Sequence, residues 1–122
     1  MKIVLNGVPP SLNRFAGRLN GWEYRGEKER WTSAVQWLAK RELARLGRPA
    51  APDFAHVAIT YFFPDRRRRD PDNYGGKLLL DGLTKAGAIR DDSFAHIALT
   101  VRGDTDRKRP RTEIVVTEGD KK

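Results

Sequence analysis

The sequence predicts an α+β fold in a single domain, with two helices packed on a small mixed sheet. Three observations lead to this prediction. Apolar residues recur at helical spacing in two segments, four short segments have the composition of strands, and glycine or proline separates the segments. The predicted order is β-α-β-α-β-β. Because 122 residues suffice for one hydrophobic core, residues 1–122 are treated as one domain.

The first half of the chain predicts a strand and a long helix. Residues 2–6 (KIVLN) form a short apolar strand that Gly7 ends. Residues 11–25 are polar and unpatterned, which predicts a loop. From about residue 27 to residue 46, apolar side chains recur at helical spacing, and Gly47 then ends the predicted helix.

The second half predicts a buried strand and a second helix. Residues 54–63 carry β-branched and aromatic side chains on both faces, as a central strand does. Asp72 or Asn73 would cap a helix that runs to about Ala86 and ends at Gly87.

Two further strands follow. Residues 94–102 alternate in polarity, with one apolar face. Residues 103–111 form a basic loop, and residues 112–117 (TEIVVT) form the last strand. The order of the strands in the sheet does not follow from these patterns.

The composition narrows the classes of function. The net charge is +8 and Arg supplies 16 of the 24 basic residues, which favours a phosphate-rich partner such as nucleic acid. With no cysteine and only His56 and His96, disulfides, thiolate sites and a histidine-rich zinc site are not expected, and both histidines are interpreted as strand residues.

No apolar run reaches the ~20 residues of a membrane span, and the start lacks a signal peptide, so a cytoplasmic protein is expected.

Five carboxylates lie within the 23 residues from Asp70 to Asp92, in an otherwise basic chain. Clustered carboxylates repel one another unless a cation lies between them. Oxygen ligands suit hard cations, so a divalent metal, Mg²⁺ with Mn²⁺ as a substitute, is expected beside a nucleic-acid surface.

Asp70 and Asp72 are the first pair of candidate ligands. Pro71 disfavours the helical region at Asp70, and an extended backbone would direct both carboxylates to the same side. The alternative is that Asp72 caps the following helix and Asp70 pairs with a nearby arginine.

Asp91 and Asp92 are the second pair, between the second helix and the third strand. If that loop returns beside Asp70, the two pairs form one metal site. The alternative is a turn or a solvated edge, and the strand order decides between them.

One polar stripe follows the predicted second helix, formed by Asn73, Lys77, Asp81 and Lys85. Lys77 lies close to the proposed metal, where it could offset charge on a phosphate. The alternative is a solvent-facing stripe in which Asp81 pairs with the two lysines.

Basic residues beside the acidic run are candidate DNA contacts. Arg66, Arg67, Arg68 and Arg69 directly precede it and would lead a DNA backbone to it. Further candidates are Asn13, Arg14, Arg18, Arg25, Lys85, Arg107, Lys108, Arg109 and Arg111.

Trp37 lies off the apolar stripe of the first helix. Its position predicts a subunit interface or a contact with residues 11–25.

Three motifs resemble those of the RusA family of Holliday-junction resolvases. They are PDRRRRDPDN, then K-x3-D-x-L-T-K-A-G, then DD, and the segment PPS-x-N near the start is similar to the family's N-terminal pattern. The resemblance implies a Mg²⁺-dependent endodeoxyribonuclease, often phage-encoded, that acts as a homodimer on four-way DNA junctions in recombination and repair.

By position, the family's metal ligands correspond to Asp70, Asp72 and Asp92, with Asp91 as a supporting or alternative ligand, and its functional lysine corresponds to Lys77. Here three residues separate the DN from the lysine, whereas the family usually has two. The unchanged K-x3-D spacing favours an insertion that lies before the helix begins. Otherwise the insertion alters the role of the lysine.

The resemblance implies that metal-activated water hydrolyses the phosphodiester while Lys77 offsets charge on the phosphate. Two sites related by a twofold axis would nick two strands of a junction. The alternatives are a nuclease for other branched DNA, a DNA-binding module without catalysis, and a phosphoryl-transfer enzyme acting on nucleotides.

Overall fold

Two helices cover one face of a four-stranded sheet in the computed structural model, which describes residues 1–15 and 21–120. The predicted class and the predicted order of elements are confirmed. The strands are β1 (Lys2–Asn6), β2 (Ala55–Phe63), β3 (Ile97–Thr105) and β4 (Arg111–Glu118), and the α-helices are α1 (Trp22–Arg45) and α2 (Leu80–Ala86). Short 3₁₀ turns occupy Leu12–Phe15 and Pro71–Asn73. No described helix is long and apolar enough to cross a membrane.

The strand order is β1-β4-β2-β3, so β2 is internal, as its composition predicts, and β3 is an edge. β2 and β3 run parallel, with Ala55 opposite Ile97 and Phe63 opposite Thr105. The β1–β4 and β2–β4 pairs are antiparallel. In the crossover from β2 to β3, the chain passes over the helical face of the sheet and returns to the end where β2 begins.

Alternate residues of β2 face the helices, from Ala55 to Phe63, and all five are buried. The helix α1 packs its own buried residues, among them Val35, against this layer. Helix α2 crosses α1 at Gly82, where an added Cβ would lie 2.6 Å from the Thr32 carbonyl oxygen. Only glycine permits this approach of the two helices.

The helix α1 begins at Trp22, five residues earlier than the spacing of apolar residues predicts. Its first turn is held by Tyr24, which is buried and packs edge-on against Phe15 at 5.3 Å between ring centroids. The predicted loop over 11–25 is therefore wrong for most of its described residues. Residues 16–20, which include Arg18, lie outside the described part of the chain.

The second helix begins at Leu80, so neither Asp72 nor Asn73 caps it and that prediction is wrong. The hydroxyl of Tyr61 donates to the Gly75 carbonyl and holds the preceding segment in a turn. The predicted end is confirmed, since Gly87 adopts a left-handed φ of 82°.

The strand β3 is shifted by three residues from the predicted range of 94–102. The Ser93 carbonyl accepts hydrogen bonds from the amides of His96 and Ile97, which closes a turn just before the strand. At its far end the strand continues through polar residues to Thr105, because its pairing with β2 extends to Phe63.

Candidate active site

Asp70 follows the arginine run and begins the 3₁₀ turn at Pro71–Asn73. Its backbone is extended, with φ −103° and ψ 136°, as the following proline predicts. Asp72 lies inside the turn, so the alternation of an extended strand does not continue through it. Both aspartates are exposed. Two hard oxygen donors therefore face solvent at the start of this turn.

Asp70 accepts a hydrogen bond from the Arg68 side chain at 3.2 Å, so the ion pair considered as an alternative role is present. The arginine side chain is 89% exposed and the carboxylate 49% exposed. An exposed pair of this kind contributes at most ~1 kcal/mol. Arg68 can therefore exchange this carboxylate for another anion at little cost.

A cavity of about 270 Å³ opens beside Asp70. Its walls are mainly aromatic and arginine side chains, with β3 along one side. The lining residues are Tyr61, Phe63, Arg69, Asp70, Pro71, Tyr74, Val101, Arg102 and Gly103. The rings of Phe63 and Tyr74 meet edge-on at 5.0 Å. Burial raises the pKa of the Tyr61 hydroxyl, which stays a neutral donor to the Gly75 carbonyl.

This aromatic wall was missed by sequence reasoning, although the alternation in residues 54–63 carries the signal. Tyr61 and Phe63 fall on the buried face at the end of that strand, next to the acidic run. A strand that ends in inward aromatics beside a functional loop indicates such a cavity.

The arginine run folds around Asp65. The Arg67 amide donates to that carboxylate at 3.0 Å, and the guanidinium of Arg69 pairs with it at 2.9 Å. The Arg67 backbone N–H, with both arginine side chains, lowers the pKa of Asp65 below its usual range. Arg69 is only 17% exposed, and it lies over the Phe63 ring, so it shapes the cavity wall.

The other three arginines of the run, Arg66 to Arg68, are exposed. Arg66 lines one concave surface together with Arg107 and Lys108 of the loop between β3 and β4. Two basic segments that are distant in sequence thus form one surface at the end of the sheet where β2 and β3 end.

Asp106 organises that loop. Its carboxylate accepts from the amides of Lys108 and Arg109, each at 3.1 Å, and from the Arg111 guanidinium at 2.7 Å. Hydrogen bonding to Arg111 lowers the pKa of Asp106. Arg111 also bonds Glu113 and is largely buried. Arg111 is therefore a structural residue of this loop, whereas Lys108 and Arg109 are exposed.

Lys77 precedes α2 and is exposed, so it does not share a helical stripe with Asp81. The predicted Lys77–Asp81 pair is wrong, because Asp81 pairs with Lys28 of α1 at 3.3 Å. Lys77 instead lines a shallow groove with Asn73 and Tyr74. The extra residue lies between Asn73 and Lys77, before α2 begins. It therefore imposes no helical rotation on the lysine.

The N-terminal segment lies next to the turn that contains Asn73. Pro9 and Pro10 line the groove that contains Lys77. Asn13 lies in a neighbouring depression with Arg67, Arg68, Arg69, Asp70 and Asn73. The PPS-x-N segment and the acidic turn are therefore adjacent in the fold.

Asp91 and Asp92 lie at the other end of β3. Just before them, Arg90 forms an exposed ion pair with Asp53 at 3.1 Å, next to the start of β2. Because β2 and β3 are parallel, the loop of Asp91 and Asp92 meets the start of β3, whereas Asp70 lies beside Val101 and Gly103. Across residues 1–15 and 21–120, no three Asp, Glu or His side chains form a group able to hold a metal.

The remaining basic candidates for DNA contact, Arg14, Arg25 and Lys85, line none of the cavities and grooves described above. Arg14 pairs with Glu23 at 3.0 Å, Arg25 is exposed on α1 and Lys85 is exposed on α2. Trp37 is 62% exposed and stacks with Arg41 at 5.4 Å, so described residues 11–15 and 21–25 do not bury it.

Comparison with known proteins identifies similar chains. Over 91 residues the chain is 36% identical to "Crossover junction endodeoxyribonuclease RusA" of Escherichia coli strain K12, which covers 70% of this chain and 68% of that protein. Proteins of the same name from Escherichia coli O1:K1 and strain UTI89 match with the same identity and coverage. No family model matches the chain.

Proposed function

The chain belongs to the RusA family of crossover junction endodeoxyribonucleases, and from this premise we propose that it resolves four-way DNA junctions. The reaction is Mg²⁺-dependent hydrolysis of a phosphodiester in two strands of the junction. The observation that carries the proposal is the position of Asp70. This exposed carboxylate lies at an aromatic cavity, between exposed arginines and the groove that contains Lys77.

The donor set of the turn fits the proposed metal. Mg²⁺ in proteins is commonly held by one or two carboxylates, with water and substrate phosphate completing its shell. Asp70 and Asp72 supply two exposed carboxylates, and Asp92 or Asp91 is proposed as a further ligand. When bound, the metal supplies an activated water and stabilises the departing oxygen.

The chain's own cations position the DNA. Arg66, Arg67 and Arg68 neutralise backbone phosphates on one side of Asp70, and the loop of Arg107, Lys108 and Arg109 extends this surface. Lys77 offsets negative charge on the scissile phosphate from the opposite side of the turn. Asn13 lies beside the same turn and donates to a phosphate or sugar oxygen.

The test compares a labelled mobile four-way junction with linear duplex, each with Mg²⁺ and with EDTA. We expect Mg²⁺-dependent paired nicks in the junction alone. Asp70→Asn should abolish cutting while junction binding remains, and Asp120→Asn, which also neutralises an exposed aspartate, is the matched control.

Two results would change the proposal. Equal cutting of junction and duplex would leave a nuclease without junction preference. Metal-independent binding with no cutting of either DNA would leave a binding module.

A further inference from the structure

The cavity beside Asp70 has aromatic walls, and neither metal binding nor the neutralisation of phosphates requires aromatic rings. Tyr61, Phe63 and Tyr74 line it together with Asp70. We propose that this cavity receives one unpaired base of the junction, next to the phosphate that is cut. The inference rests on the proposed function and names the part of the substrate that the cavity holds.

The volume of the cavity fits a single nucleobase. A cavity of ~150 Å³ holds benzene, whereas pockets for drug-sized ligands begin at ~300 Å³. The cavity beside Asp70 measures about 270 Å³. It therefore has room for one planar heterocycle with its ring substituents.

The walls offer the kind of surface on which bases stack. Phe63 meets Tyr74 edge-on at 5.0 Å between ring centroids, and Tyr61 lies 6.1 Å from the first ring and 6.0 Å from the second. Tyr61 is buried, whereas Tyr74 is half-buried, so part of the Tyr74 ring is open to a ligand. The guanidinium of Arg69 lies over Phe63 in the same wall. Aromatic rings and arginine planes are the groups on which proteins stack unpaired bases.

A glycine in β3 keeps this wall open. Gly103 lies opposite Tyr61 in the β2–β3 register and lines the cavity. A Cβ added at Gly103 would lie 3.3 Å from the Phe63 ring, so a larger side chain there would cover the ring. Glycine inside a strand often marks a place where a ligand approaches closely. Gly103 therefore leaves room for a planar group beside Phe63.

A phosphate is a poorer occupant of this cavity than a base. The guanidinium of Arg69 is only 17% exposed and already pairs with Asp65 at 2.9 Å, so its charge is compensated. The exposed arginines Arg66 to Arg68 lie outside the cavity walls and are better placed to neutralise phosphates.

The position of the cavity connects the base to the reaction. Asp70 lines the cavity and also the depression that contains Asn13 and Arg68. A nucleotide whose base lies in the cavity therefore places its phosphate beside the carboxylate that is proposed to hold the metal. Arg68 then lies where a neighbouring phosphate of the same strand can bind.

A pocket for an unpaired base also gives a physical reason for cutting at the branch point. Moving a base out of a continuous duplex breaks its pairing and stacking, and this cost is smallest where the base is already unpaired. Stacking is interrupted where the four arms of a junction meet. The cavity therefore favours the branch point over the interior of an arm.

Photochemical cross-linking tests the contact without any cutting. Iodouracil replaces one base at a time in the junction strand around the cut, and EDTA prevents hydrolysis. We expect a cross-link to Tyr74 or Phe63 from one position of the iodinated base, located by mass spectrometry of the digested protein. Cross-links only to residues outside the cavity, or none at any position, would overturn the proposal.

Junctions that lack one base test the contribution of the pocket to the rate. With Mg²⁺ and saturating protein, one abasic position should slow single-turnover cutting about 10-fold, as the loss of one stacked base does. Tyr74→Ala should slow cutting of the intact junction by a similar factor, and the abasic position should then cause no further loss. Additive losses would show that the ring and the base act independently, and they would refute the pocket.

Three variants separate stacking from a merely structural role of Tyr74. Tyr74→Phe keeps the ring and should keep the sensitivity to the missing base. Gly103→Ala narrows the cavity from β3 and should slow cutting of the intact junction more than cutting of the abasic one. Trp22→Ala removes an 81% exposed ring outside the cavity and should change neither the rate nor the sensitivity.

Equal slowing of both junctions by Tyr74→Ala and by Gly103→Ala would indicate a structural role alone and would refute the proposal. If the unchanged protein cuts no junction with Mg²⁺, the proposed function fails instead. The cross-link in EDTA then still decides whether the cavity holds a base.

Discussion

The guanidinium carbon of Arg69 lies 4.3 Å from the centroid of the Phe63 ring. The same side chain pairs with Asp65 and bonds the Asp65 and Arg67 carbonyls. Arg69 thus fixes the loop between β2 and Asp70, whereas its neighbour Arg68 is 89% exposed. Two adjacent arginines therefore have different tasks.

Arg69→Ala should lower the free energy of unfolding by about 1–2 kcal/mol, because it removes a partly buried cation–π contact together with its hydrogen bonds. Arg68→Ala, the matched change, should leave stability within ~0.5 kcal/mol and reduce the salt dependence of junction binding. Chemical denaturation and binding titrations at several salt concentrations measure both effects. Equal losses of stability in the two variants would show that Arg69 has no special structural task.

Gly82→Ala should destabilise the protein by about 1–3 kcal/mol, because the new methyl group must force α1 and α2 apart. Gly26→Ala is the control, since a Cβ there meets nothing within 4 Å. That second change should stabilise helix α1 by up to ~1 kcal/mol. Thermal unfolding of the two variants should therefore shift in opposite directions, and a neutral Gly82→Ala would contradict the close crossing.

Lys77→Ala should abolish cutting while the affinity for the junction changes little, because in the proposed reaction the ammonium offsets charge that develops at one phosphate. Lys85→Ala removes an exposed lysine from α2 and should preserve cutting. Single-turnover rates at saturating protein separate the effect on chemistry from an effect on binding. A Lys77→Ala enzyme that cuts at the original rate would exclude this lysine from the reaction.

Acid should destabilise the basic loop between β3 and β4. The pKa values of Asp106 and Glu113 are lowered, chiefly by hydrogen bonds from Arg111, so both carboxylates stabilise the fold while ionised. Their contribution is complete above the ordinary carboxyl value of about 4 and is lost as pH falls through the lowered values. Asp106→Asn should therefore lower the melting temperature at pH 7 and have a smaller effect near pH 2. An equal effect at both pH values would show that the charge of Asp106 is irrelevant.

Local pattern was enough to predict β1, β2, β4 and the buried stripe of α1, because each depends on periodicity within its own segment. Before α2 begins at Leu80, the hydroxyl of Tyr61 donates to the Gly75 carbonyl, a contact between residues 14 positions apart in the chain. No pattern near residue 72 encodes that contact. For the same reason, the motif identified the candidate residues around Asp70, while only the parallel pairing of β2 with β3 located Asp92.

The position of β1 in the sheet also has a consequence for folding during synthesis. Among the described residues its only strand neighbour is β4, with Lys2 opposite Val115. During synthesis β1 must therefore wait for β4, which follows it by about a hundred residues, before this side of the sheet can close. Pairing between such distant segments slows folding, so a newly made chain holds an apolar strand unpaired until β4 has been made. A chain shortened before β4 would leave both β1 and one side of β2 without a partner, and it should aggregate rather than fold.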